Sequence, residues 1–192
     1  MRIFILSVLL SFVIGLKAQI GYLQMERVAA FTDSTLSLQN WNSEAFLDTL
    51  NADLLDAFED FQKEWTNVIT DNYCMTLEQQ RALEKKLTAE QEALTNAETL
   101  YLEFKEKVPE RIEHLNDQLV RHWLQNTPLN TNLQYVLPDT FFLYIAPNAV
   151  NITDALLAEV AITQPSWINI VEDWINEQYQ IREVIQEVLN KE

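Results

Sequence analysis

The chain has 192 residues, of which 48% are hydrophobic and 22% are charged, and this is the composition of one folded domain rather than of a disordered tail. Only two residues are glycine, which excludes glycine-rich phosphate loops, dinucleotide fingerprints and nucleophile elbows, because these need backbone geometry that glycine permits. One cysteine and two histidines exclude a disulfide framework and a cysteine-rich zinc site within one chain.

Residues 1–18 have the pattern of a cleaved secretory signal peptide. Arg2 supplies a positive start, residues 3–16 are mostly apolar, and Ala18 is a small residue before the expected cleavage point. The alternatives are an uncleaved anchor and a buried N-terminal helix. Cleavage would remove Arg2 and Lys17 and leave 11 of the 13 basic residues against 29 acidic ones, a net charge of −18. Such a charge disfavours direct binding to nucleic acid and to anionic membranes.

The first elements predicted after the leader are a strand, a short helix and a turn. Residues 20–25 are compatible with a strand, residues 26–31 with one or two helical turns, and residues 32–35 with a capping or turn cluster.

Two long amphipathic helices follow. Apolar residues recur every three or four positions over residues 41–68 and again over residues 77–123, and the interval 70–75 interrupts the period. Asn42 or Ser43 is the predicted N-cap of the first helix.

The two helices are predicted to lie antiparallel. Folding the chain about Cys74 brings apolar positions opposite one another, for example Leu54 opposite Leu94. Pro109 lies inside the second helix and should kink it, because proline removes a backbone donor. The sequence therefore predicts a helical hairpin, or arm.

Beyond the arm the chain is predicted to return to strands. The runs 133–137 and 141–145 are aromatic and β-branched and flank Pro138-Asp139-Thr140, which predicts a hairpin. A hairpin alone is marginal in water, so residues 20–25 are expected to supply a third strand. Asn151 is the predicted cap of a short helix that runs to about Ile162.

The last segment is a further amphipathic helix with no obvious partner in the chain. The predicted fold class is therefore α+β, mainly α, with the arm inserted into a small β body. The predicted boundaries are 1–18 for the signal peptide, 19–37 and 127–163 for the β body, 38–126 for the arm and 164–192 for the C-terminal amphipathic helix.

This order of elements resembles the OmpH/Skp family of periplasmic chaperones. The likeness rests on the signal peptide, on the opening strand IGYLQM, on the long helical hairpin, and on the closing stretch IAPNAVNITD at residues 145–154. It covers about residues 20–162. The chain departs from the family in its strong acidity and in the helix after residue 164.

The resemblance implies a periplasmic homotrimer whose strands form a shared body and whose arms enclose a cavity for unfolded outer-membrane or envelope proteins, held without ATP. The strand residues expected to mediate oligomerisation are Ile20, Tyr22, Val136, Phe142 and Tyr144.

The arm carries more aromatic surface than a two-helix seam requires, and a chaperone of this kind binds clients through dispersed apolar surface. The candidate client-binding residues are Phe46, Leu54, Phe58, Phe61, Trp65, Tyr101 and Phe104. The alternative is that these residues only fill the seam between the helices.

We expect neither an enzyme nor a bound cofactor or metal. His114 could share a helix face with Glu110 and Asp117, but an ordinary surface salt bridge is the favoured interpretation. The alternative function is a non-enzymatic coiled-coil adaptor that binds one folded envelope partner.

Overall fold

The computed structural model describes residues 19–71, 75–127, 133–141, 149–162 and 166–189. The predicted signal peptide, Cys74, Phe142 and Tyr144 lie outside these ranges. The elements in chain order are β1 (Gln19–Leu23), α1 (Met25–Leu38), α2 (Ser43–Asp71), α3 (Leu77–Asn126), β2 (Leu133–Pro138), a 3-10 helix (Asp139–Phe141), β3 (Val150–Asn151), α4 (Thr153–Ile162) and α5 (Ser166–Leu189). The predicted fold class is confirmed at this level, since the chain is mainly helical with one small sheet.

The chain folds into two compact units. The first unit comprises the described parts of Met1–Thr32 and Gln118–Trp167, and it contains the sheet. The second comprises the described parts of Asp33–Asp117 and Ile168–Glu192, and it contains α2 with most of α3 and α5.

The sheet of the first unit has the order β2-β1-β3, and β1 is parallel to both neighbours. Phe141, which was predicted to begin the second strand of the hairpin, instead lies in the 3-10 helix Asp139–Phe141. The Asp139 carboxylate accepts a hydrogen bond from the backbone N–H of Met25 at 3.2 Å, which ties this segment to the start of α1. Residues 142–145, the rest of the predicted second strand, lie outside the described residues.

Polar side chains join the ends of β1 and β3 to the start of α4. The backbone N–H of Gln24, at the end of β1, donates to Thr153 Oγ1 at 2.8 Å. Asn151 Oδ1 accepts the N–H of Thr153 at 3.0 Å, while the carbonyl of Ile152 accepts the first intrahelical bond from Leu156. The N-cap of α4 is therefore Ile152, one residue after the predicted Asn151, although the Asn151 side chain satisfies one of the free helix donors.

Helix α1 is longer than predicted, because residues 32–35 continue the helix instead of turning. Thr32 is fully buried, and its hydroxyl donates to the Val28 carbonyl at 3.1 Å, so its polar atom is satisfied inside the helix.

The end of α1 is a Schellman motif centred on Asn40. Its φ is 58°, its N–H donates to the Ser37 carbonyl at 3.0 Å, and the N–H of Trp41 donates to the Leu36 carbonyl at 2.9 Å. Leu36 and Trp41 are both buried and supply the apolar contact of this motif. Asparagine takes the left-handed position that glycine usually fills, in a chain that has only two glycines.

The N-cap of α2 is one of its two predicted candidates, and α3 begins with a capping box that was not predicted from the sequence. Asn42 Oδ1 accepts the N–H of Ala45 at 2.9 Å, which makes Asn42 the N-cap of α2. Thr76 and Gln79 exchange side-chain-to-backbone bonds of 3.3 and 2.9 Å, which form a capping box at the start of α3. Helix α3 then continues without interruption through Pro109.

In the second unit α2 and α3 contact one another in antiparallel order. The rings of Phe46 and Phe104 meet edge to face with centroids 5.9 Å apart, and Lys86 Nζ lies 2.6 Å from Glu64 Oε1. Both pairs are symmetric about Met75, one residue from the predicted fold-back at Cys74. Leu54 and Leu94 are buried, as the antiparallel pairing requires.

Helix α5 packs against this hairpin, whereas the sequence showed no partner for it. Trp174 meets Trp41 edge to face at 4.7 Å, and Tyr179 meets Phe46 at 5.5 Å. The residues of α5 that are buried are Val171, Trp174, Ile175, Gln178 and Ile185.

Candidate interaction surfaces

The candidate client-binding residues fall into two groups in the second unit. Four of them are buried, with 7% or less of their surface exposed: Phe46, Leu54, Tyr101 and Phe104. Phe58 and Phe61 are half-buried, and Trp65 is 45% exposed. Only the second group, which lies nearer the fold-back of the hairpin, offers apolar surface to another molecule.

The buried group forms a core around Phe46. Its ring contacts Phe104 on α3, Tyr179 on α5 and Trp41, with centroid distances of 5.9, 5.5 and 6.1 Å. The guanidinium of Arg111 lies 5.9 Å from the Phe104 ring centroid. The burial of this group agrees with the alternative interpretation that its four residues only fill the seam between the helices.

The exposed group lines an open groove between α2 and α3. Phe61 and Trp65 are stacked with centroids 6.4 Å apart and planes 30° apart. They line a cavity of about 320 Å³ with Gln62, Thr66 and Gln91.

Two further open cavities adjoin this one and share its polar residues. One of about 470 Å³ shares Gln62 and Thr66, and one of about 520 Å³ shares Gln91. We call the three cavities the arm groove; its other lining residues are Glu59, Lys63, Asn67, Thr88, Glu92, Thr95 and Asn96.

The surface of α2 is strongly acidic. Between Ser43 and Asp71 the sequence has eight acidic residues and one basic residue, Lys63. Lys63 Nζ lies 3.0 Å from Asp60 Oδ1, and this hydrogen bond with the attraction of the same carboxylate raises the pKa of Lys63. The single positive charge of the helix is therefore paired.

Lys86 connects α3 to α2 beside the groove. Its ammonium lies 2.6 Å from Glu64 Oε1 and 3.2 Å from Glu90 Oε1. The hydrogen bonds to Glu64 and then to Glu90 raise the pKa of Lys86 above its ordinary value. Because the Lys86 side chain is 55% exposed, the bridge adds little to the stability of the hairpin.

Polar side chains hold α5 against the hairpin. Asp53 Oδ2 accepts hydrogen bonds from Arg182 and Gln186, each at 3.0 Å. Arg111 Nε donates to the buried Gln178 Oε1 at 2.9 Å, and Gln178 Nε2 donates to a carbonyl of its own helix at 2.7 Å. This network orients the helix that covers Phe46.

The sheet residues predicted to mediate oligomerisation divide between its two faces. In the register of β1 with β2, Ile20 pairs with Tyr135 and Tyr22 with Leu137, whereas Val136 pairs with Gly21 and lies on the opposite face. On the first face Ile20 is 37% exposed, Tyr135 64% and Leu137 39%, and Tyr22 is half-buried. The sequence prediction missed Tyr135 and Leu137, which the alternation of strand side chains could have revealed.

A serine, a histidine and an asparagine meet in the first unit. His122 Nε2 lies 3.0 Å from Ser166 Oγ, and the Asn126 amide nitrogen lies 3.4 Å from Nδ1. That amide nitrogen also donates to the His122 carbonyl at 2.8 Å, which fixes the orientation of the amide. The Asn126 amide therefore contacts both the backbone and the ring of His122, and that ring contacts the first residue of α5.

Neither a metal site nor a membrane span is found in the described part of the chain. No three His, Cys, Asp or Glu side chains converge there as ligands, His114 with its acidic neighbours included. None of the described helices combines the length and the apolarity needed to cross a bilayer.

Comparison with models of known protein families found no match, and a search of curated proteins found no relative.

Proposed function

We propose that this protein is an exported, ATP-independent chaperone that holds unfolded outer-membrane or envelope proteins in the periplasm. The observation that carries the proposal is the arm groove, where the stacked Phe61 and Trp65 rings remain accessible between two long helices. An open apolar surface bordered by amide and hydroxyl groups suits weak, sequence-tolerant binding, because apolar contact needs no fixed geometry.

We further propose that three copies assemble through their sheets, as in the family that the sequence resembles. The exposed face that carries Ile20, Tyr135 and Leu137 supports this, because it groups apolar side chains on a small sheet. In such a trimer the hairpins would border a shared cavity, and catalysis would play no part.

The proposal is tested by suppression of aggregation. Several unrelated unfolded proteins are diluted from denaturant with and without the purified chain, in the absence of nucleotide, and light scattering is followed over time. A holding chaperone reduces scattering for most of the clients at near-stoichiometric ratios. If it protects none of them, the proposed function fails.

The alternative is an adaptor that recognises one folded envelope partner. The partly exposed Tyr179 (41%) and Val184 (51%) on α5 favour this alternative, because they leave some apolar surface on the outside of that helix. An adaptor would leave the scattering of all unrelated clients unchanged and would capture a single folded protein.

A further inference from the structure

We infer that the arm groove binds extended polypeptide segments in which lysine or arginine alternates with aromatic or aliphatic residues. This inference rests on the proposed function and specifies which client segments the chain takes. Three properties of the groove lead to it: an accessible aromatic pair, amide groups beside that pair, and an acidic surrounding.

The aromatic pair supplies the apolar component. Trp65 is 45% exposed beside the half-buried Phe61, and the cavity that they line has a volume of about 320 Å³. The adjoining cavities of about 470 and 520 Å³ lie one on α2 and one on α3 and share polar residues with this cavity, so a bound segment can contact both helices.

The amide side chains beside the aromatic pair can form hydrogen bonds with a peptide backbone. Gln62 and Gln91 line the groove on α2 and α3, and each carries an amide with two donors and an acceptor carbonyl. A peptide backbone presents the complementary groups at every residue, whatever its sequence. Hydrogen bonding of this type therefore leaves the choice of segment to side-chain charge and apolarity.

The charges around the groove select cations. Beside the groove α2 carries four acidic residues against one basic residue, Lys63, which is paired with Asp60; the four are Asp56, Glu59, Asp60 and Glu64. On α3 the neighbouring Lys86 is held between Glu64 and Glu90. Glu59 and Glu92 also line the groove, and an acidic segment would meet like charges there. The exposed face of Trp65 itself attracts an ammonium or guanidinium group.

The test uses the full chain and three synthetic peptides of equal length with the same leucine and phenylalanine residues. The intervening positions are lysine, glutamate or serine. Binding is measured by fluorescence anisotropy of a labelled peptide at low and high salt. We expect the lysine peptide to bind at least ten times more tightly than the glutamate peptide at low salt, with the serine peptide between them. The ratio should fall as salt is added.

The groove is tested by Trp65→Ala, with Leu102→Ala as the matched control. Leu102 is 54% exposed on α3 and does not line the groove, so both substitutions remove an exposed apolar side chain from a helix. We expect Trp65→Ala to weaken the lysine peptide at least fivefold and Leu102→Ala to change its affinity less than twofold.

Trp65 also reports binding in the wild-type chain. Of the five tryptophans it is the one with a large exposed surface, since Trp41, Trp123 and Trp174 are buried and Trp167 is half-buried. The lysine peptide should therefore reduce acrylamide quenching of tryptophan fluorescence. This measurement needs no variant.

Equal affinity for the lysine and glutamate peptides, or unchanged binding by Trp65→Ala, would overturn the inference. These outcomes are separable from failure of the proposed function. If the chain suppresses aggregation but shows no charge preference, the proposed chaperone function stands and the inferred selectivity is wrong. If the chain binds the lysine peptide selectively but does not suppress aggregation, the inferred groove specificity stands and the proposed chaperone function is wrong.

Discussion

The contact between Trp174 and Trp41 should be one of the main contributions to the stability of the second unit. Trp174 is 6% exposed and Trp41 3%, and their rings meet edge to face with centroids 4.7 Å apart and planes 81° apart. Replacing Trp174 with alanine removes this ring contact between α5 and the chain segment that precedes α2.

The size of the effect follows from burial and ring geometry. Tryptophan-to-alanine substitutions in packed cores cost about 3–5 kcal/mol, because the cavity collapses only in part. An edge-to-face pair contributes about 0.5–1.5 kcal/mol beyond the area that it buries. A double-mutant cycle with Trp41→Ala should therefore give a coupling energy of about that size.

The assay is urea unfolding followed by far-ultraviolet circular dichroism, which does not depend on the substituted indole. Val184→Ala is the control, because Val184 lies on the same helix and is 51% exposed; we expect a change of at most about 0.5 kcal/mol. If Trp174→Ala costs less than about 1 kcal/mol, far below the cost of a buried tryptophan, then α5 does not pack on the hairpin as described.

Three further outcomes are expected. Asn40→Ala should lower the free energy of unfolding by about 1 kcal/mol and Asn40→Gly should not, because alanine is strained at a left-handed φ; equal values in urea unfolding would contradict the Schellman assignment. The pKa of Lys86 is raised in the fold, so its contribution is present below the ordinary value of 10.5 and is lost as pH rises through the folded pKa. The melting-temperature difference between wild type and Lys86→Gln should then be constant from neutral pH upward and shrink at alkaline pH; a difference that persists there would contradict this. Tyr135→Asp should lower the molar mass measured by light scattering while preserving the helical signal, and an unchanged oligomer would remove the sheet face from assembly.

Helix boundaries were predictable where the signals lie close together in sequence. The Asn42 side chain accepts a hydrogen bond from the backbone N–H three residues later, at the start of α2. Thr76 and Gln79 exchange two hydrogen bonds over the same spacing at the start of α3. Thr32 misled the prediction, because its hydroxyl bonds the carbonyl four residues earlier inside the helix instead of ending the helix in a turn.

The sheet topology was less predictable, because the connection from β1 to α1 depends on distant groups. Thr153 accepts a hydrogen bond from the backbone 129 residues earlier, and Asp139 does so over 114 residues. A run of β-branched residues indicates a strand, but it does not indicate whether the neighbouring strand is parallel.

Packing of α5 accounts for the largest difference between the predicted client surface and the observed one. The apolar stripe of α5 was visible in the sequence, but its partner face was not, since Arg182 meets Asp53 across 129 positions and Gln178 meets Arg111 across 67. Once α5 covers Phe46 through Tyr179, the aromatic residues at that end of the hairpin become core.

The packing of α5 therefore divides the aromatic residues of the hairpin into a group that stabilises the unit and a group that remains accessible for binding. The aromatic residues that contact α5 stabilise the unit, and those near the fold-back, Phe61 and Trp65, stay accessible. Substitution at Phe46 should thus lower stability and binding together, whereas substitution at Trp65 should lower binding alone. Loss of binding at Phe46 without a loss of stability would contradict this division of roles.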